Sequence, residues 1–212
     1  MAEMFSDDVL EVTNDWCYNK FNSLVKAVDA VIFRTKDGVL QALTITRKRH
    51  PHVDLPAWPG GLLDAGETPA EAIMREAKEE VGLTEDVILY EYDLGVNDES
   101  TKFIWDVRGA DGVEIHAKAF LVNDEWVPVA ADDAVAYEWV TVDSLVETGM
   151  AFLHMQWLVR ALRQMDYDFN QALRRYQLDI LRQVNYIDRV NVKRIADGKK
   201  AIPIPRSLQE DN

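Results

Sequence analysis

The apolar positions along the chain change their period several times, and each change predicts an element. "KAVDAVIFRT" and "VLQALTITRK" are rich in β-branched residues, and the "KDG" between them is a turn signature, so the pair predicts a strand–turn–strand hairpin. A loop follows, marked by Pro51, Pro56 and Pro59. In "TPAEAIMREAKEEVG" the apolar residues Ala72, Ile73, Ala77 and Val81 recur at helical steps. Thr68 is placed to cap this helix, Pro69 to occupy its first position, Glu71 to complete a capping box and Gly82 to end it. "DVILYEYDLGV", "TKFIWDVRG", "VEIHAKAFLVN" and "AYEWVTV" predict further strands, with "NDES" and "GADG" as turns, and "VDSLV" begins a short helix. "MAFLHMQWLVRALRQM" predicts an amphipathic helix.

Two flanking segments stand apart. "SDDVLEVTNDWCYNKFNSLV" predicts a short opening helix over residues 1–24. At the other end, Phe169, Leu173, Tyr176, Ile180, Val184, Ile187 and Val190 recur at three- and four-residue steps, one stripe of a long helix that Gly198 would end before a loose tail. Strands first, one helix among them, then more strands and a closing helix give an α/β class with a mixed sheet and helices on its faces. The expected organisation is an opening helix at 1–24, a main domain at 25–165, and a helical extension with tail at 166–212.

Charge narrows the chemistry. The chain has 212 residues and a net charge of −14. Residues 1–159 carry 12 Lys/Arg against 30 Asp/Glu, whereas residues 160–212 carry 11 against 7. Phosphate contacts depend on Lys and Arg, so nucleic acid is not expected as a partner of the acidic part. A carboxylate-rich domain acting on phosphates needs a divalent cation to reverse the local sign. The single cysteine, Cys17, excludes an intrachain disulfide and fits a reducing compartment. With no basic leader before an apolar run and no apolar run long enough to span a bilayer, the expected location is the cytoplasm, without a membrane partner.

The acidic helix carries the candidate chemistry. Glu76, Glu79 and Glu80 stand at i, i+3 and i+4, within a narrow arc of the helix. Like charges at these spacings destabilise an isolated helix. A divalent cation offsets that repulsion, and Mg²⁺ or Mn²⁺ prefers carboxylate oxygen. Arg75 is spaced to hold a carboxylate by a bidentate fork, and Gly60 and Gly61 leave backbone bare for close approach to a metal or phosphate. A solvated acidic face is the alternative for such a helix.

The full spacing decides between them. Gly61, five residues, Glu67, seven residues, Arg75-Glu76, Ala77, Lys78, Glu79-Glu80, Val81, Gly82, Leu83 resembles the Nudix box of hydrolases that cleave a nucleoside diphosphate linked to another group. Seven fixed positions match by chance on the order of once in 10⁸ start points. Ala77 departs from the family's bulkier aliphatic residue but remains apolar. The resemblance implies a Nudix α/β/α sandwich with a mixed β-sheet over about residues 25–162, followed by the C-terminal helical extension. It also implies a box that binds Mg²⁺ or Mn²⁺, with Glu76, Glu79 and Glu80 as ligands, the Gly60 carbonyl as a further one, and Glu67 with Arg75 as the orienting pair. The implied reaction is attack of metal-activated water on a pyrophosphate phosphorus.

"VDAVIFR", "ITRKRHPH", the "DVRG" loop and "DDAVAYEWV" resemble the ADP-ribose pyrophosphatase branch, including the Nudix domains attached to NMN adenylyltransferases and those of NAD-related transcriptional regulators. Within that resemblance Asp132 or Asp133 stands for a loop carboxylate serving as base or extra ligand, though an exposed acidic turn fits it equally. Arg47, Lys48, Arg49 and Arg108 are candidates for the diphosphate or the terminal ribose phosphate, and Trp58 either stacks on a base or packs beside the loop. His50, His52, His116 and His154 show no metal-site spacing and read as structural.

Three functions remain in play. The first is hydrolysis of ADP-ribose to AMP and ribose 5-phosphate. The second is an ADP-ribose-sensing transcriptional regulator, against which stand the intact glutamate set and a C-terminal segment of about 47 residues with one helix and no winged helix–turn–helix pattern. The third is cleansing of nucleoside triphosphates. The expected partners are a small nucleotide substrate and a second copy of the chain, with the Phe169–Val190 stripe packing on its own domain or across a two-fold dimer.

Overall fold

Residues 25–47, 54–97, 113–129, 136–199 and 201 are described in this computed structural model. The hairpin forms where alternation predicts it: β1 runs Val25–Lys36 and β2 Val39–Thr46, paired antiparallel with Ile32 opposite Leu43. Asp37 and Gly38 take φ of 51° and 76°, both positive, as the two-residue turn that matches strand twist requires. Short strands β3 (Pro56–Ala57) and β4 (Gly60–Leu62) precede helix α1 (Pro69–Val81), after which come a single 3₁₀ turn at Glu85–Val87 and β5 (Ile88–Val96). Strands β6 (Val113–Val122) and β7 (Tyr137–Thr141) lead into helices α2 (Val142–Thr148), α3 (Met155–Gln164) and α4 (Asn170–Ala196).

The mixed sheet has seven strands in the order β3-β2-β1-β6-β5, with β4 also paired to β1 and β7 to β2. Pairing of β4 on β1 sets Asp29 opposite Gly60 and Val28 opposite Gly61, which brings the start of the glycine-rich loop onto a buried strand. The core uses Ile32 and Leu43 from the hairpin, Ile73 and Val81 from α1, and Phe120 from β6. All four apolar positions predicted for the inner face of α1 are its buried residues.

Two compact units divide the chain. The larger takes in Lys26–Val96 and Ile115–Tyr176 and holds the sheet and α1. The smaller includes Asn97, Val113, Glu114 and α4 from Gln177 onward among its described residues; in it the Asn97 side-chain amide donates to the Val113 carbonyl at 3.1 Å. Along α4 the predicted stripe is the less exposed side: Leu173, Tyr176 and Ile180 are half-buried and Val184 is buried. Gly198 follows the helix at φ 72°. Among the described residues no helix is long and apolar enough to cross a membrane.

One predicted helix starts late. "MAFLHMQWLVRALRQM" becomes helical only at Met155, because Ala151 N–H donates to the Pro56 carbonyl at 2.8 Å and Phe152 takes φ 51°. That tertiary anchor overrides local propensity over the first five residues. The predicted opening helix and the "TKFIWDVRG" strand lie outside the described residues.

Candidate active site

Helix α1 begins as its sequence dictates. Thr68 Oγ1 accepts from Glu71 N–H at 3.3 Å, and Glu71 Oε2 accepts from Thr68 N–H at 2.8 Å, the reciprocal capping box. Gly82 closes the helix at φ 71°. Glu71 is therefore committed to the cap, and the helix is fixed at both ends with Glu76 beside Gly61 and Glu80 on Gly60 N–H of β4.

Arg75 organises the acidic cluster. Its Nε and Nη2 donate to the two oxygens of Glu67 at 2.8 and 2.9 Å, the bidentate fork that holds a carboxylate in one plane. Nη1 donates to Glu76 at 2.8 Å and to Glu79 at 3.2 Å, and Nη2 also reaches the Leu62 carbonyl at 3.1 Å. Glu67 in turn accepts from Asp64 N–H at 3.0 Å. One guanidinium thus fixes three carboxylates and the loop that precedes them. The bond from Arg75, helped by the Asp64 amide, holds the Glu67 carboxyl below the usual carboxylate range, and the Glu67 and Glu76 bonds raise Arg75 above its ordinary value. Arg75→Lys keeps the charge and loses the fork. It is expected to lower metal-dependent turnover by about 10- to 100-fold, the usual effect of losing a group that orients ligands. Steady-state kinetics with a circular dichroism control checks this, and unchanged turnover contradicts it.

Glu80 is set deeper. Its Oε2 accepts from Gly60 N–H at 2.9 Å, and burial, followed by repulsion from Glu76 and Glu79, pushes its pKa up to about 7 against the Gly60 bond and the charge of Arg47. The glycines are demanded by close approach. A Cβ on Gly60 would run into the Val28 carbonyl oxygen, and one on Gly61 into the Glu76 carboxylate.

This donor set suits a divalent cation. Glu76, Glu79 and Glu80 are hard oxygen donors on one face, each with one oxygen held by Arg75 or Gly60 and the other left for a further partner. Burial, with the Glu76 and Glu79 charges beside it, holds Glu80 toward its neutral form in the absence of a cation. As placed, no three His, Cys, Asp or Glu side chains among the described residues stand close enough to hold an ion. Glu79, bonded to Arg75 at 3.2 Å, keeps 60% of its side chain exposed.

Beneath the loop lies a polar network that motif spacing does not reveal. Asp29 Oδ2 accepts from Trp157 Nε1–H at 2.8 Å and faces His154 Nε2 at 3.4 Å. His154 Nδ1 accepts from Trp58 N–H at 3.2 Å, which places the imidazole proton on Nε2 toward Asp29, and the Trp58 indole donates to the His154 carbonyl at 3.0 Å. The backbone of Trp58–Gly60 is thereby pinned to α3 on one side, while Ala30 N–H donates to Pro59 O at 2.8 Å on the other. A lone aspartate inside the apolar run of β1 was the available signal; its partners lie about 125 residues away in sequence.

Burial pushes the Asp29 pKa up to about 8, opposed by the Trp157 bond. Asp29 and Glu80 both ionise at higher pH in the folded protein than in the unfolded chain. Their contribution to stability is therefore fully present below the unfolded carboxylate range and lost as pH rises through about 7 to about 8. The metal-free protein is expected to melt at a lower temperature at pH 9 than at pH 6, and Asp29→Asn to reduce that difference. Thermal melts in chelator read this directly; a slope unaltered by Asp29→Asn would contradict it.

The other predicted residues divide. Arg47 lies within electrostatic reach of Glu80 and Asp29, with its guanidinium 4.6 Å from the Phe152 ring. Trp58 is corrected: it is 2% exposed and packs 6.3 Å from Phe33, so it has no open face on which a base could stack. His154 is the satisfied structural histidine expected, and His116 sits in β6 opposite Val96. Asp133, Asp132, Lys48, Arg49, Arg108, His50 and His52 lie outside the described residues.

The chain is similar to known proteins in sequence and fold. The NUDIX domain model matches residues 23–161. An ADP-ribose pyrophosphatase of Methanocaldococcus jannaschii is 47% identical over 57 residues, 27% of this chain and 31% of that protein. A bifunctional NMN adenylyltransferase/ADP ribose pyrophosphatase from Francisella tularensis, solved with AMP and a Mn ion, superposes with TM-score 0.56 at 29% identity over 74% of this chain and 46% of its own. The NUDIX domain of Shewanella oneidensis NrtR, solved with ADP ribose, superposes with TM-score 0.58 at 21% identity over 76% of this chain and 99% of its own, a likeness of fold. The chain thus spans about a third of the pyrophosphatase and about half of the bifunctional enzyme. With the box on α1, the mixed sheet and the match over residues 23–161 in agreement, the chain belongs to the NUDIX family.

Proposed function

We propose that this Nudix hydrolase cleaves ADP-ribose to AMP and ribose 5-phosphate with Mg²⁺ or Mn²⁺ held by Glu76, Glu79 and Glu80, with the Gly60 carbonyl as a further ligand. The observation that carries the reading is the Arg75-organised glutamate face opposite Gly60, with Glu80 raised to about 7. The bound cation supplies charge neutralisation on the diphosphate and acidifies water. The chain's own residues do the rest. Arg75 fixes Glu76 and Glu79 from behind, so that their remaining oxygens are preorientated at no cost during the reaction. Gly60 N–H holds Glu80 in register with them. Arg47, whose charge acts on Glu80 and Asp29, is proposed to pair with a diphosphate oxygen. Arg49 and Arg108 are proposed to extend that contact, and Asp133 to take the proton from water.

The substrate assignment rests on similarity, chiefly the 47% identical segment and the 29% identical bifunctional enzyme. Its test is a hydrolysis panel of ADP-ribose, NADH, dinucleoside polyphosphates, nucleotide sugars and nucleoside triphosphates, with products identified. ADP-ribose is expected to give the highest kcat/KM. Preference for a triphosphate would establish the cleansing reading. Tight ADP-ribose binding without turnover, joined to salt-dependent binding of a specific duplex, would establish the regulator.

A further inference from the structure

Helix α4 carries a second stripe besides the less exposed line through Leu173, Tyr176, Ile180 and Val184. Leu178, Leu181, Val192 and Ile195 are 50%, 54%, 72% and 62% exposed, and Asn185 and Asp188 between them are exposed as well. Their spacing is three, four, three, four and three residues, the alternation of a coiled-coil seam. At about 100° per residue the seam lies roughly a quarter to a third of a turn from the buried line through Ile180 and Val184. A helix whose buried side is already occupied has no intramolecular need for a second apolar seam of this regularity.

The order of residues along the seam identifies its occupant. Read forward it runs Leu, Leu, Asn, Asp, Val, Ile, and it is self-complementary when laid against itself in reverse. Leu178 then faces Ile195, Leu181 faces Val192, and Asn185 faces Asp188, each pair occurring twice about a two-fold axis. The two central layers pair an amide donor with a carboxylate, a match of polar chemistry inside an otherwise apolar seam. A parallel arrangement would instead set the two Asp188 carboxylates against each other, which like-charge repulsion disfavours. We infer that the exposed Leu178–Ile195 seam of α4 is the contact between two copies of this chain, packed antiparallel with Asn185 of each on Asp188 of the other. This face differs from the line through Leu173, Tyr176, Ile180 and Val184, the less exposed side of the helix.

The seam is about 26 Å long at 1.5 Å per residue and alone covers less than a standard interface of roughly 800 Å² per partner. The dimer is therefore expected to dissociate on dilution. Sedimentation velocity of the full chain from about 1 to 200 µM should show the weight-average mass rising from one copy toward two. Leu181→Asp and Val192→Asp, each placed in the facing layer, should hold it at one copy with helicity unchanged. Orientation is read by mixing Leu181→Cys chains with Val192→Cys chains in a Cys17→Ser background under mild oxidation. Crosslinks between the two different chains support the antiparallel seam. Predominant same-site crosslinks, a mass unaffected by either aspartate, or a monomer throughout the range would each overturn it, the last leaving the seam to a different protein.

Discussion

Glu80→Gln is expected to lower metal-dependent hydrolysis by roughly 10²- to 10³-fold, a loss of about 3 to 4 kcal/mol of transition-state stabilisation. Glutamine is nearly isosteric, and its amide oxygen accepts from Gly60 N–H as the carboxylate does, so the loop and α1 keep their positions. What disappears is the ionisable carboxylate of the proposed ligand set. Because the Glu80 pKa is raised to about 7, the wild-type fold carries a cost for ionising that group at alkaline pH, and glutamine removes it. The metal-free variant is therefore expected to melt no lower than wild type at pH 8 while losing turnover and Mn²⁺ affinity together. A variant that unfolds would have lost activity for a different reason, and unchanged turnover would remove Glu80 from the ligand set.

Gly60→Ala should have the largest effect on folding. The added Cβ meets the Val28 carbonyl oxygen, and it lies close to the Asp29 side chain and to its Cα at 3.1 Å. The first and last of these are backbone atoms of a strand paired to Gly60 itself, so nothing flexible can yield. Opening the β1–β4 ladder at this point breaks the bond from Gly60 N–H to Glu80 and disturbs Asp29 and its partners. A loss of about 2 to 4 kcal/mol is expected, in the range of overpacked and network-breaking substitutions. Gly61→Ala is the instructive contrast, since its Cβ meets the end of the Glu76 side chain. Glu76 can swing away, so stability should fall little while activity falls sharply. Chemical denaturation and kinetics on both variants separate the two, and equal stability of both would contradict the steric assignment.

Legibility in the sequence followed the range of the interactions. The α1 caps, the Asp37–Gly38 turn and the inward face of Ala72, Ile73, Ala77 and Val81 depend on residues within a few positions of one another, so local pattern carried them. The Arg75–Glu67 pairing spans eight residues and came from the family resemblance. The Asp29–His154–Trp157 network and the Trp58 anchor join β1 to α3 across the fold, and no local spacing encodes them. For the same reason Trp58 looked available to a base when it is core, and α3 looked five residues longer than the Pro56–Ala151 bond allows. The second stripe on α4 was present in the sequence but masked by the first, because only burial shows which of two apolar lines faces inward.

The most direct test of the account is a ³¹P NMR time course of ADP-ribose with the purified chain, with and without Mg²⁺, and with Glu80→Gln alongside. Conversion to AMP and ribose 5-phosphate that requires both the cation and Glu80 is the predicted result. An ADP-ribose spectrum that stays unchanged with Mg²⁺ or Mn²⁺, or that changes equally with Glu80→Gln, would contradict it.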